Sequence, residues 1–352
     1  MSRLLICTSL SIGFFLTGCA DRELGTDSND PSNSSTEETL ETSAGPTGDP
    51  TTDDSTTDDP TTEDPTADTT TGQPVGDGVW ELRMPDFSPP ITQTWYSCYA
   101  FNIPVTEAKH VTGFRPQVFD KHIHHYVVGV YDTPQAHDPS NSCSQWVDDM
   151  VWGWAPGGEE LHLPDDVGIR VGDSGTVTFV VQIHYDNPLQ EAFVDNSGFD
   201  VLYTNNLRPH EAGILRIGDI LGINIPAGEP AHEHVSTCSS VVTQNGLKGD
   251  LNVIGTWLHA HEIGSKLWTE VYREGAMIGE LGREDPFMFD YQTFRPQSAV
   301  IKPGDELKTH CVYDASDRDF TTYGGEATDD EMCINFLLYY PRDPDLVSCG
   351  LL

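Results

Sequence analysis

From Trp80 to Cys349 the chain consists of short runs of β-branched and aromatic residues, each closed by Gly, Pro, Asn or Asp. This punctuation limits the fold more than any other feature. "HHYVVGVYD", "GTVTFVVQIHYDN", "FDVLYT", "LNVIGTWLHAH", "KLWTEVYREG" and "CINFLLYYP" are runs of this kind, and "RVGDSG", "PAGEP", "QNGLKGD" and "IKPGDE" stand between them. Branched and aromatic side chains fit a pleated, half-buried surface, which Gly and Pro interrupt. No stretch much longer than a dozen residues repeats its apolar positions at helical spacing, so the pattern predicts an all-β protein in packed layers. The 276 residues from 77 to 352 exceed one sandwich of ordinary size. We therefore expect two consecutive antiparallel, jelly-roll-like β-sandwich domains, 77–205 and 206–352, joined near "NNLRPHEAG" (205–213).

The segment before them is different material. "MSRLLICTSLSIGFFLTGCA" carries Arg3 and an apolar run too short to span a bilayer, which predicts an export signal over residues 1–18. Its ending, Leu16 to Cys19, resembles a bacterial lipobox. Cys19 would then be the lipidated first residue of an exported protein of the bacterial cell envelope, touching membrane only through that anchor. An ordinary cleaved signal is the alternative. Residues 19–76 hold Thr, Asp, Glu, Pro and Gly without an aromatic side chain, and such a stretch cannot bury enough apolar surface to offset its ordering entropy. It is expected to be a disordered tether.

Fifteen of the 56 acidic residues lie in that tether, yet residues 77–352 still carry 41 acidic against 16 basic side chains. The excess argues against nucleic acid and anionic membrane surfaces as partners. Six cysteines, 98, 143, 238, 311, 333 and 349, follow the tether. An even number in an exported chain predicts three disulfides, with connectivity open on spacing alone.

Histidine is the side chain that most often ligates metals, and the chain's 13 histidines are clustered. His122, His124 and His125 share "KHIHHYVVGVYD"; His184 lies in "VVQIHYDNP", His232 and His234 in "AHEHVSTC", His259 and His261 in "WLHAHEIG". Residues two apart on a strand share a face and adjacent ones do not. Spacing alone thus admits His122/His124, His232/His234 and His259/His261 equally, and favours His122 over His125 beside His124. In "DDEMCINFLLYYP", Met332 stands at the entrance of an apolar run, where a methionine is ordinarily core. A thioether combined with imidazoles nonetheless selects copper, especially Cu(I).

The ordered series "HHYVVG", "VQIHYDN", "WLHAHEIG", "YGGEATDDEMC" and "CINFLLYYP" resembles the copper type II, ascorbate-dependent monooxygenases. This is the family of peptidylglycine α-hydroxylating monooxygenase and dopamine β-monooxygenase. The likeness runs from "TWYSCYAFNIP" (94–104) to Cys349, and "RPHEAGILRIG", "IKPGDEL" and "CVYDASDRD" look closer to the dopamine branch. It implies two copper ions, one per domain, facing each other across a solvated cleft. His124, His125 and His184 match the electron-transfer site; His259, His261 and Met332 match the oxygen-binding site. His122, His232 and His234 match no family ligand. The implied activity is hydroxylation of an sp³ C–H in a small-molecule substrate, using O2 and a reductant such as ascorbate.

The resemblance also implies the disulfides Cys311–Cys333 and Cys238–Cys349. Cys98 matches a family cysteine whose expected partner position is Asn196 here, and Cys143 has no obvious family partner, so by elimination Cys98 is expected to pair with Cys143. Gln182 matches a position close to the electron-transfer copper. Trp257 stands where the peptide enzyme has an arginine that grips a carboxylate, and an indole cannot form that bidentate pair. Ile334 and Phe336 replace two polar positions of the peptide enzyme. A glycine-extended peptide is therefore not the expected substrate. Two other classes compete: a non-enzymatic copper binder, and a zinc hydrolase with Glu262 as its general base.

Overall fold

The structure is a computed structural model that describes residues 77–143, 147 and 149–350. The export signal, Cys19 and the tether expected over 19–76 lie outside the described residues. The described residues are almost wholly β, as expected, with one short helix, Ser240–Gly246, whose N-terminus is capped by the Ser239 side chain.

Four main sheets form two sandwiches. In the first, one sheet runs Gly78–Arg83, Gly198–Thr204, Lys109–Gln117, Val167–Val171, His210–Glu211, with Leu161–His162 beside Lys109–Gln117. The other runs Thr94–Pro104, Thr176–Asp186, Ile123–Tyr131, Met150–Trp154. Phe114 of one sheet meets Phe179 and Trp152 of the other at 6.4 and 5.1 Å between ring centroids, which places the core between them. In the second sandwich, Arg295–Ile301, Leu251–His259, Cys333–Tyr340, Gly213–Asp219 and Ser348–Cys349 make one sheet. His232–Cys238, Glu306–Tyr313, Gly264–Arg273 and Ala276–Glu284 make the other.

Among the described strands, pairing is antiparallel except at two short places. His210–Glu211 pairs in parallel with Val167–Gly168, and Ser348–Cys349 with Arg216–Ile217. The expected join at 205–213 thus contains a strand hydrogen-bonded to the first sandwich. The three disulfides are Cys98–Cys143, Cys238–Cys349 and Cys311–Cys333, with Cα separations of 5.6, 5.3 and 5.8 Å. All lie in the span a disulfide bridges without backbone movement. No helix among the described residues is long and apolar enough to cross a membrane.

Burial along the strands shows how the sandwiches are used. Glu306–Tyr313 alternates buried and half-buried residues, as a strand with one wet face should. Ile123–Tyr131 and Thr176–Asp186 are buried almost throughout. One face of these strands packs into the first core. Across the other lie Trp257, Met332, Ile334, Phe336 and Leu338 of the second sandwich, in one continuous apolar cluster with the first. The strands carrying His124, His125 and His184 are therefore enclosed on both sides.

Candidate metal centre

The strands Ile123–Tyr131 and Thr176–Asp186 pair in antiparallel fashion, with Ile123 opposite Tyr185 and His125 opposite His184. Two residues advance on one strand for one on the other, so His124 is the extra residue of a β-bulge. A bulge re-aims a side chain, and this one removes the objection that adjacent strand histidines must point apart. The ligand atoms of His124, His125 and His184 lie within 4.8 Å of one another, all three residues buried. His124 Nδ1 and His125 Nδ1 are 3.1 Å apart, the spacing of two nitrogens each about 2 Å from one ion. His184 Nδ1 is buried without a hydrogen-bond partner, and its ring stacks on Tyr96 at 4.4 Å between centroids.

The second set is built around the end of Leu251–His259. His259 donates from Nδ1 to Gln292 Oε1 at 2.6 Å, while Gln292 Nε2 donates to the carbonyls of Ala260 and Phe289. Those carbonyls fix the amide's orientation, so the proton sits on Nδ1 of His259 and Nε2 is left for a ligand role. His261 Nδ1 donates to the Asp330 carbonyl at 3.0 Å, which also frees its Nε2. Met332 is buried beside both rings, its carbonyl accepting from Tyr313 Oη at 2.8 Å and its neighbour Cys333 held by the disulfide to Cys311.

Burial keeps these imidazoles neutral. Loss of solvation pushes His124 down to about 4 and His259 to about 3. Burial, then neighbouring imidazoles, hold His125 and His184 well below the ordinary histidine range, and burial lowers His261. Neutral imidazole is the form that binds a metal. Five uncharged rings, an unpartnered buried nitrogen and a thioether fit copper better than a hard cation.

The two donor sets do not face each other across a solvated cleft. His125 and His259 stand 5.7 Å apart between ring centroids, and a cavity of about 40 Å³ lies among His125, His259, His261, Met332, Trp257 and Phe336. That is room for a few waters at most. The apolar core is continuous through this region, and the loop before Met332 is fastened to the first sandwich. Tyr96 Oη donates to the Glu326 carbonyl at 3.0 Å, and Thr328 Oγ1 lies 3.0 Å from Thr94 Oγ1 and 3.3 Å from His184 Nε2.

Gln182 lines the cavity and donates to the Cys143 carbonyl at 2.8 Å. Trp257 stacks on Phe336 at 5.0 Å, and both line the cavity. Ile334 does not: it is fully buried in the apolar cluster, opposite His259 in the strand register. His122 has carboxylates at both ring nitrogens, Asp120 at 2.6 Å and Glu191 at 3.1 Å. His234 is held by Asp219 at 3.0 Å, and neither His232 nor His234 lines the cavity. Glu262 is ion-paired with Arg318 at 2.8 Å, which occupies the carboxylate a hydrolase would need.

Two supporting residues escaped the sequence analysis. Glu331 is wholly buried, its carboxylate accepting the backbone N–H groups of His261 and Ile263 at 2.8 Å each, so it ties the His261 turn to the Met332 strand. Burial raises its carboxyl to about 8 against the pull of those N–H groups. Its place in "DDEMC" was the available signal. Gln292 carried none, because its contact with His259 spans 33 residues. Replacing Gln292 with Leu is expected to weaken metal binding at the His259/His261/Met332 set by about 10–100-fold. The His124/His125/His184 set should be unaffected, and a competition titration against a Cu(I) chelator separates the two.

The N-terminal domain of the copper type II ascorbate-dependent monooxygenases matches residues 80–192, and the C-terminal domain of the same family matches residues 210–350. Tyramine beta-hydroxylase of Caenorhabditis briggsae is 34% identical over 276 residues, covering 72% of this chain and 46% of that protein. DBH-like monooxygenase protein 1 of Homo sapiens is 31% identical over 291 residues, 74% of this chain and 47% of that protein. Dopamine beta-hydroxylase of Equus caballus is 30% identical over 283 residues, 74% and 46%. The chain thus spans about half the length of the curated relatives it matches. Two family domains in their proper order cover most of the described residues, and the chain belongs to the copper type II ascorbate-dependent monooxygenase family.

Proposed function

We propose that this chain is a copper-dependent monooxygenase that hydroxylates an sp³ C–H of a small organic substrate with O2 and an external reductant such as ascorbate. The observation that carries the reading is the convergence of neutral His125, His259, His261 and Met332, from two sandwiches, around one small cavity, with His124 and His184 clustered behind His125. His124, His125 and His184 would hold one copper, and His259, His261 and Met332 the other. Copper there supplies one-electron chemistry and oxygen activation. The chain's own part is to fix ring orientation through Gln292 and the Asp330 carbonyl, and to exclude water with Trp257, Phe336 and Val127.

Substrate access is read from Trp257. It lines the 40 Å³ cavity and packs against Gly153 and Phe294, which with Trp154, Leu338 and others line a groove of about 610 Å³. A Cβ added at Gly153 would run into the Trp257 ring, so the indole lies against that backbone. The groove has the volume of a small-molecule site and the cavity does not. A substrate in the groove would reach the metal cavity past Trp257, whose Nε1 is a buried donor without a partner. The protein is further read as exported, since its disulfides suit an oxidising compartment. The domain limits near 77–205 and 206–352, and lipidation at Cys19 in a bacterial envelope, belong to this proposal.

Metal analysis and oxygen uptake test it together. We expect two coppers per chain and ascorbate-dependent O2 consumption stimulated by one or more of a panel of small amines and aromatics. One zinc per chain would overturn it. Two coppers without uptake on any substrate would favour a non-enzymatic copper binder, the reading to which the small cavity lends weight.

A further inference from the structure

Among the described residues, one cluster of metal-ligating side chains remains outside the candidate copper centres. Cys98, His137 and Cys143 place their ligand atoms within 4.8 Å of one another. The two sulfurs form a disulfide, and the exposed His137 lies against it from the loop between Ile123–Tyr131 and Met150–Trp154. We propose that this cluster is a masked soft-metal site, which reduction of Cys98–Cys143 opens to a single Cu(I) held by two thiolates and the His137 imidazole.

Three features support it. First, the backbone that sets the sulfurs is held independently of the S–S bond. Cys143 N donates to the Tyr96 carbonyl at 3.1 Å, its carbonyl accepts from Gln182 Nε2 at 2.8 Å, and Ser97 bridges to Ser142. Breaking the disulfide therefore leaves the two sulfurs close together. Second, the disulfides differ in access. Cys143 is half-buried, whereas Cys238, Cys311, Cys333 and Cys349 are buried, so a reductant reaches Cys143 first. Third, among the described residues the group has three members, two of them sulfur. Zinc in a structural site takes four ligands, while thiolates select Cu(I).

The site also has a position. Cys98 pairs with Gln182 and Tyr96 with His184 in the same strand pair. The cluster therefore stands two residues, or about 7 Å, along the sheet from His184. Copper held there would lie at the surface beside the buried three-histidine set.

The chemistry balances with a dithiol as reductant. One thiolate attacks Cys143 Sγ, the S–S bond breaks and Cys98 leaves as thiolate. The second thiol of the reductant then closes on the mixed disulfide and releases Cys143. The dithiol loses two electrons and becomes a cyclic disulfide, the protein gains two thiols, and Cu(I) displaces their two protons.

The test uses the copper-loaded protein under anaerobic conditions. Thiol alkylation sets the dithiothreitol concentration at which Cys98 and Cys143 alone open. After gel filtration, Cu(I) is titrated as its acetonitrile complex against a chelator. We expect one additional Cu(I) per chain in the reduced protein and none in the oxidised protein, with two sulfur neighbours by X-ray absorption. His137→Ala, at an exposed position, should weaken the additional site by about tenfold or more, and Cys143→Ser should remove it. No additional Cu(I), or additional Cu(I) unchanged in both variants, would overturn the proposal. The count is a difference between reduced and oxidised protein, so it stands or falls apart from the monooxygenase reading.

Discussion

Met332→Ile is expected to lower oxygen-dependent turnover by more than about 100-fold, while the His124/His125/His184 set keeps its copper. Met332 is buried against His259, His261 and Phe336, so the replacement must preserve packing to be informative. Isoleucine is apolar and of similar volume, and such swaps cost under about 1.5 kcal/mol. The fold is retained and the thioether alone is lost. Changing a residue that merely supports a ligand already costs about 10–100-fold, so removing a ligand should exceed that. Steady-state O2 uptake with ascorbate, alongside metal content and Cu(II) EPR of the same preparation, checks the outcome. Unchanged turnover would show that sulfur is not part of the site.

The second large effect is on the metal-free protein. Its stability is expected to fall by several kcal/mol between pH 7 and pH 5. Above the ordinary histidine value of 6.5, the imidazoles are neutral in both folded and unfolded chains. Below it the unfolded chain takes up protons that the buried rings refuse until about pH 4 at His124 and about pH 3 at His259. The unfolded state then binds more protons, so stability drops as pH falls, by about 1.8 kcal/mol each for His124 and His259 across this window. His125, His184 and His261 act in the same direction. Glu331, raised to about 8, is protonated earlier in the folded chain and offsets about 2–3 kcal/mol as pH falls. Urea unfolding of chelator-treated protein at pH 7, 6 and 5 measures the sum. A flat profile would mean that the histidines are not buried together.

The all-β class was legible because strand punctuation is local: alternation and turn residues are set within a few positions. The candidate ligands were legible in a different way. Spacing could not choose among three HxH pairs, and it favoured His122 over His125. The ordered motifs of the family favoured His125, and the bulge at His124 shows how adjacent histidines can reach one point. His122, meanwhile, has both ring nitrogens committed to Asp120 and Glu191.

Other features depended on contacts that no local pattern records. Gln292 reaches His259 across 33 residues, and Thr328 reaches His184 across 144. The position of His137 beside Cys98 and Cys143 likewise comes from a loop folding back on a strand. By itself, then, the sequence determined the strand architecture, the acidic surface and, through its ordered motifs, the six candidate copper ligands. Tertiary structure decided which ring nitrogens are free, how closely His125 and His259 approach, and that Trp257 lines a small cavity while packing against residues of a wide groove. Periodicity and turn chemistry act over a few residues, whereas ring orientation, burial and cavity shape are set by side chains that meet only after the two sandwiches have packed.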